Sequence, residues 1–182
     1  MDAITLLTQR QSCKKLTGPA PEGESLEKIL TAGHRAPDHG GLIPWRFVLC
    51  QNEGLDKLSD LFLQAAINRG EPEKKQEKAK HAPYRAPLVI IVISKVQENR
   101  KVPDIEQHLA AGCALMSMQQ AAQALGFGGI WRTGAPAFDP TIKSVLNLEE
   151  RDQIVGFLYL GTPELDVPFK KHKPRDGVVS YL

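Results

Sequence analysis

From Asp104 to Gly134 the chain reads DIEQHLAAGCALMSMQQAAQALGFGGIWRTG, and between His108 and Arg132 not one side chain is charged. Leu109 to Leu125 consists almost entirely of good helix formers, so this stretch predicts one long helix. Its apolar residues go right round the cylinder, the pattern of a helix covered on most sides. Many are small, so other backbones can pack closely against it, within the subunit or across a dimer interface. An uncharged run of this length would also cross a hydrocarbon layer of ~30 Å. Gln119, Gln120, Gln123 and the glycines interrupt it, which favours burial in protein instead. Gly126 is placed to end the helix in the left-handed conformation, and Phe127 to Trp131 reads as a short strand with Arg132 at its end.

A helix that needs cover on several sides requires a substantial core, and a 182-residue chain that is 42% hydrophobic supplies one within a single domain. The net charge of +2 comes from scattered Lys and Arg residues, which gives no basic face for nucleic acid. The first residues hold an acid and too short an apolar run for a signal peptide, so a cytoplasmic address is expected. Cys13, Cys50 and Cys113 are odd in number and lack CxxC spacing, which points to reduced thiols and not to a disulfide framework or a zinc site.

Around this helix the expected elements are short. Asp2 to Gln9 predicts a capped first helix that delivers Arg10, Gln11, Ser12, Cys13, Lys14 and Lys15 at its end. Arg gives a forked pair of donors, Ser another and Lys a point charge, a set that suits a phosphate. Taken alone, a solvated basic helix end favoured by the macrodipole is the plainer reading. Glu24 to His34 predicts an amphipathic helix. The loop His34-Arg35-Ala36-Pro37-Asp38-His39-Gly40-Gly41 follows and leads into a buried strand from Trp45 to Gln51. His34, Asp38 and His39 match no standard metal-ligand spacing. Leu55 to Gly70 predicts a helix, and the charged run Glu71 to His81 a peripheral, solvated helical face. Pro87 to Ser94 (PLVIIVIS) is a continuous β-branched run, the mark of a strand covered on both faces. Asp139-Pro140 opens a short helix ending near Leu146, and Ile154 to Leu160 is the last core strand. The tail from Gly161 to Leu182 forms no core of its own and is expected to lie across another surface. About four strands and one well-covered helix make a dimer the natural way to complete the fold.

Five segments in order resemble the nitroreductase family of FMN-dependent oxidoreductases: Arg10-x-Ser12; Arg35-Ala36-Pro37-Asp38-His39 with Pro44-Trp45; Ala110-Ala111-Gly112-Cys113; Gly128-Gly129-Ile130-Trp131-Arg132-Thr133-Gly134; and Gly156-Phe157-Leu158-Tyr159-Leu160-Gly161. The resemblance runs almost from end to end. It implies an α+β, three-layer sandwich, a mixed sheet flanked by helices, in an intertwined homodimer with FMN at two interface sites. It implies flavin contacts from Arg10, Gln11 and Ser12 at the phosphate and ribityl end, and from Trp131, Arg132 and Thr133 on the same subunit. Arg35 and His39 are implied to serve the flavin of the other subunit, with Lys14 a further candidate at the ring. Ala121, Ala122, Gln123, Ala124, Leu125 and Gly126 are implied to bind nicotinamide.

The implied function is oxidoreduction, with NAD(P)H as reductant and a nitroaromatic, quinone or similar small molecule as acceptor. No catalytic side chain and no metal is needed, since the flavin carries the chemistry. The alternatives are an FMN-binding or sensing module without turnover and, more remotely, a metal-dependent hydrolase using His34, His39 and His108. Two positions depart from the family pattern: Ile43 stands where many members have Gln, and Gln11 where many have a second Arg. Lys171, Lys173 and Arg175 read as a solvated tail.

Overall fold

A computed structural model of the chain describes residues 2–165 and 177–182. In chain order the elements are α1 (Ala3–Gln9), β1 (Leu16–Thr17), α2 (Gly23–His34), β2 (Trp45–Gln51), α3 (Glu53–Asn68), α4 (Glu73–Lys80), β3 (Leu88–Ser94), α5 (Asp104–Ala124), β4 (Gly128–Arg132), α6 (Ala135–Phe138), α7 (Pro140–Val145) and β5 (Gln153–Pro163). Single 3-10 turns lie at His39–Gly41 and Pro83–Arg85.

The PLVIIVIS run is the middle of the sheet, with every residue of β3 buried. Leu88, Ile90 and Val92 face a core shared with α2 and α5. Val89, Ile91 and Ile93 face a second core shared with α3. A strand apolar on both sides must be covered on both sides, and this one forces the three layers: helices, sheet, helices.

β5 lies beside β3, and β2 forms the far edge. β4 and the two-residue β1 follow one another along the other side of β5. The sheet is therefore not mixed as expected, because every described pairing is antiparallel. The reason is topological. β3 and β4 run parallel and are joined through α5, but β5 inserts between them and reverses the sense of each contact. β1 brings the strands to five, and two residues leave no period in the sequence to reveal it.

The long helix begins at Asp104, five residues earlier than its apolar run, and its polar first turn carries Asp104 and Glu106 where acids suit a helix N-terminus. One face buries Ala111, Ala114, Leu115, Met118 and Ala122. The expected cover on most sides is not complete within one chain. Ile105 and Leu109 are each about 60% exposed, and Cys113 lies one turn further on the same stripe. At the other end Phe127 N–H donates to the Ala122 carbonyl at 2.9 Å, and Gly126 N–H to Gln123 at 3.0 Å. This paired closure needs a left-handed residue, which Gly126 provides at φ +89°. A Cβ there would meet no atom within 4 Å, so Gly126→Ala is expected to cost only backbone strain, about 1–2 kcal/mol, in urea unfolding. No loss would mean that the helix end can adopt another closure.

Among the described residues no helix is long and apolar enough to cross a membrane. Val178, Val179, Tyr181 and Leu182 are exposed. Lys171, Lys173 and Arg175 fall outside the described residues.

Candidate flavin site

The segment after α1 is held against β4 by one backbone hydrogen bond, Cys13 N–H to the Gly129 carbonyl at 2.9 Å. Cys13 is buried, while Ser12 and Lys14 on either side point to solvent and Arg10 is partly exposed at the C-cap of α1. One anchored cysteine thus presents alternating polar neighbours along the free edge of β4. The N-terminal cluster and the Trp131-Arg132-Thr133 segment are brought to the same strand.

Within that strand, alternation sends neighbouring side chains to opposite faces. Trp131 turns toward α5. Its indole Nε1–H donates to the Val155 carbonyl at 3.2 Å, and its ring covers Gly156. Arg132 turns toward α3 and α4, with its guanidinium 5.6 Å from the centroid of the Tyr159 ring. Its Nε is buried and has no hydrogen-bond partner among the described residues. Burial pushes the Tyr159 phenol up to about 12, against the pull of Arg132 and Arg85 in the other direction.

Arg35 and His39 are not brought to this strand by any contact within the subunit. Arg35 caps α2 through its N–H to the Thr31 carbonyl and leaves its side chain exposed. His39 Nδ1 lies 2.6 Å from Glu106 Oε2 in the first turn of α5, both side chains being substantially exposed. Asp38 serves the loop itself, accepting from Leu42 N–H at 3.1 Å and Ile43 N–H at 2.7 Å. His34 meets the Trp45 indole, and His108 lies 2.9 Å from the Ser94 hydroxyl, so the three histidines have separate partners. Among the described residues no group of three His, Cys, Asp or Glu side chains is placed to hold a metal ion. In the Ala121–Gly126 segment Ala122 is fully buried, while Ala124, Leu125 and Gly126 are exposed at the end of α5.

On the face of β4 and β5 opposite α5 lies a cavity of about 650 Å³. Arg69, Lys75, Lys78, Arg85 and Tyr159 line it together with Arg132, and sequence reasoning passed over them. The charged run forms α4 with no buried residue, a solvated helical face as expected, and part of it borders this cavity. Ala79 and Ala82 pack against the core while Lys75 and Lys78 stay exposed at the cavity's rim, and that i, i+3, i+4 spacing was the available signal.

An antiparallel sheet with helices on both faces, with the N-terminal segment fastened to its edge strand through Cys13, makes an α+β sandwich. The chain belongs to the nitroreductase family: the model of that family matches residues 7–162. It is 52% identical over 165 residues to the Escherichia coli K12 protein named "Putative NAD(P)H nitroreductase YdjA", covering 91% of this chain and 90% of that one. Two solved structures share its fold. The nitroreductase-like family protein of Bacillus cereus superposes with a TM-score of 0.85 at 23% identity, over 100% of this chain and 96% of that one. A Bacteroides fragilis nitroreductase with bound FMN gives 0.76 at 21% identity, with both chains fully covered.

Proposed function

We propose that the protein is an FMN-dependent oxidoreductase that works as a cytoplasmic homodimer, takes a hydride from NAD(P)H and passes the electrons to a nitroaromatic, quinone or similar acceptor. The observation that carries this reading is the hydrogen bond from Cys13 to Gly129, which sets Arg10 and Ser12 beside the strand bearing Trp131, Arg132 and Thr133. The buried, unsatisfied Arg132 Nε fits a neighbouring anionic ligand, because a guanidinium N–H withheld from water costs stability until it finds an acceptor. The names of the relatives agree, one being called an NAD(P)H nitroreductase and another binding FMN.

When bound, the flavin supplies the two-electron chemistry at N5. Arg10 and Ser12 would hold its phosphate, Arg10 as a forked donor and Ser12 through its hydroxyl. Gln11, Trp131 and Thr133 would flank the ribityl chain and ring. Arg35 and His39 are assigned to the flavin of the opposite subunit, and Ala121 to Gly126 to nicotinamide. The dimer reading rests on the exposed apolar stripe Ile105, Leu109 and Cys113 of α5; α1, which contacts α5, also exposes Ile4 and Leu7, at 69% and 56%. Exposed apolar side chains along one helix mark an interaction site, and a second copy would bring each Arg35–His39 loop to a site it cannot reach alone.

The test begins with an absorption spectrum of the purified protein, in which the visible bands of oxidised flavin should appear and bleach with NAD(P)H. Turnover with an added acceptor then separates an enzyme from a flavin-holding module. Arg10→Ala is expected to weaken FMN binding by about 1.5–3 kcal/mol, the range for a hydrogen bond to a charged group. Unchanged affinity on titration of the flavin-free variant would remove Arg10 from the phosphate site.

A further inference from the structure

A buried amide must find a hydrogen-bond partner, and the one that Gln119 finds is already in use. Gln119 lies in the second half of α5 at 3% exposure, and its Nε2–H donates to the Gly129 carbonyl at 3.0 Å. The same carbonyl accepts the Cys13 N–H at 2.9 Å. A carbonyl oxygen has two lone pairs, so both donors are accommodated. One donor belongs to the central helix and the other to the segment that carries Arg10 and Ser12. Gly129 joins them.

Two glycines make this meeting possible. A Cβ at position 128 would stand 2.6 Å from Leu16 Cδ2 and 3.1 Å from Cys13 Cβ, so a side chain there would drive the N-terminal segment off the strand. A Cβ at position 129 would stand 2.9 Å from Leu160 Cδ2 and 3.4 Å from Gln119 Cγ. Close approach therefore demands Gly-Gly, and Gly-Gly leaves the backbone loosely determined. Among the described residues β4 pairs with β5 alone, so no second strand fixes the Gly129 carbonyl from the other side. Without Gln119 that carbonyl would answer only to the segment it is meant to hold.

We propose that Gln119 is a positioning residue of the flavin site. Its amide fixes the Gly129 carbonyl, the carbonyl fixes Cys13, and through that segment Arg10 and Ser12 are set in place. Resting on the flavin reading above, Gln119 acts through the backbone and not by contact with the cofactor. Its effect falls on FMN affinity, because a segment held in place before the flavin arrives has less conformational freedom to lose on binding. The fold itself does not need the amide. An apolar side chain of similar size would fill the same space beside Leu160, and the Gly129 carbonyl would keep the Cys13 N–H as its donor.

The experiment compares the wild type with Gln119→Met and Gln119→Leu, which keep the volume and remove the donor. FMN is titrated into the flavin-free proteins and followed by quenching of its fluorescence. Affinity should fall about tenfold, the ordering of one backbone residue now falling on the binding step. Hydrogen exchange at the Cys13 amide, read by NMR, should accelerate by about the same factor, because the segment opens more easily. Tm should stay within about 4 °C of the wild type, the change expected of one hydrogen bond in a domain of this size. In an Arg10→Ala/Ser12→Ala background the loss of FMN affinity should shrink, since the groups through which Gln119 acts are gone. Unchanged affinity overturns the proposal. So does a loss of equal size in both backgrounds, which would mean a general loosening of the fold. Variants that fail to fold overturn it as well, because the amide would then support the core itself. Failure of the flavin reading shows separately, as wild-type protein that neither retains FMN nor bleaches with NAD(P)H. On that protein the Cys13 amide still decides, since an exchange rate unchanged in both variants removes Gln119 from the placement of the segment.

Discussion

Gly156→Ala is expected to destabilise the fold by about 3 kcal/mol, at the upper end of the range for overpacking, and to push Trp131 out of its place beside the proposed flavin. A Cβ at position 156 would stand 2.1 Å from Trp131 Nε1, 2.5 Å from its Cδ1 and 3.0 Å from the Arg132 carbonyl. The ring cannot back away without cost, because its N–H is tied to the Val155 carbonyl. That carbonyl is accessible for a reason visible in the sheet register. Val92 pairs with Gly156 and Ile93 with Ile154, so Val155 is the extra residue of a bulge. Bulge, glycine and indole thus form one device that carries Trp131 across β5. For a domain of this size the loss corresponds to a fall in Tm of about 6–12 °C. Trp131→Ala in the same chain should recover part of it, since the worst contact disappears, leaving the residual cost of the Arg132 carbonyl. A Gly156→Ala protein that melts with the wild type, or a penalty unchanged by removing Trp131, would show that the strand relaxes around the new methyl group. Flavin retention is a second readout: weaker binding with partial recovery of stability would locate the defect in the indole's position.

The parts of this protein legible in its sequence are those where one local rule has no competitor. β3 was readable because only a strand covered on both faces tolerates seven consecutive apolar or buried positions. The end of α5 was readable because Gly126 follows the last apolar turn, and the opening of α7 because Asp139 precedes Pro140 and accepts from Thr141 and Ile142 N–H. The N-terminal cations were visible, but their meaning was not. Nothing between Arg10 and Lys15 announces that Cys13 will hydrogen-bond to Gly129, and without that bond a solvated helix end is the simpler account. The cavity was lost for the opposite reason. Glu73 to Lys80 is so polar that composition alone sends it to the surface. Only the docking of Ala79 and Ala82 on the core beneath β5 sets the exposed Lys75 and Lys78 at the cavity's rim. Long-range pairing decides both cases, and periodicity within a single element carries no record of it.

Mixing two inactive variants should restore activity if the flavin site is shared between subunits. Arg10→Ala removes a group assigned to a subunit's own flavin. Arg35→Ala/His39→Ala removes groups assigned to the flavin of its neighbour. In a heterodimer of the two, one site collects both lesions and the other collects none, so each mixed dimer should show about half the wild-type activity by two-fold symmetry. Random reassociation makes about half of the dimers mixed, so the unfractionated sample should reach about a quarter. The fold should survive the loop variant, because the contact it removes, His39 to Glu106, joins two exposed side chains, and such pairs contribute at most about 1 kcal/mol. Differently tagged subunits, unfolded together, reassembled and purified through both tags, isolate the mixed species. The geometry within one subunit motivates the experiment. Arg35 sits at the end of α2 and His39 beside the first turn of α5, while Arg10 and Ser12 belong to the segment fastened to β4 through Cys13, and no described contact links the two groups. If purified heterodimers remain as inactive as their parents, the loop does not serve the opposite flavin. His39 would then serve only its exposed contact with Glu106 in the first turn of α5, and Arg35 only the cap of α2.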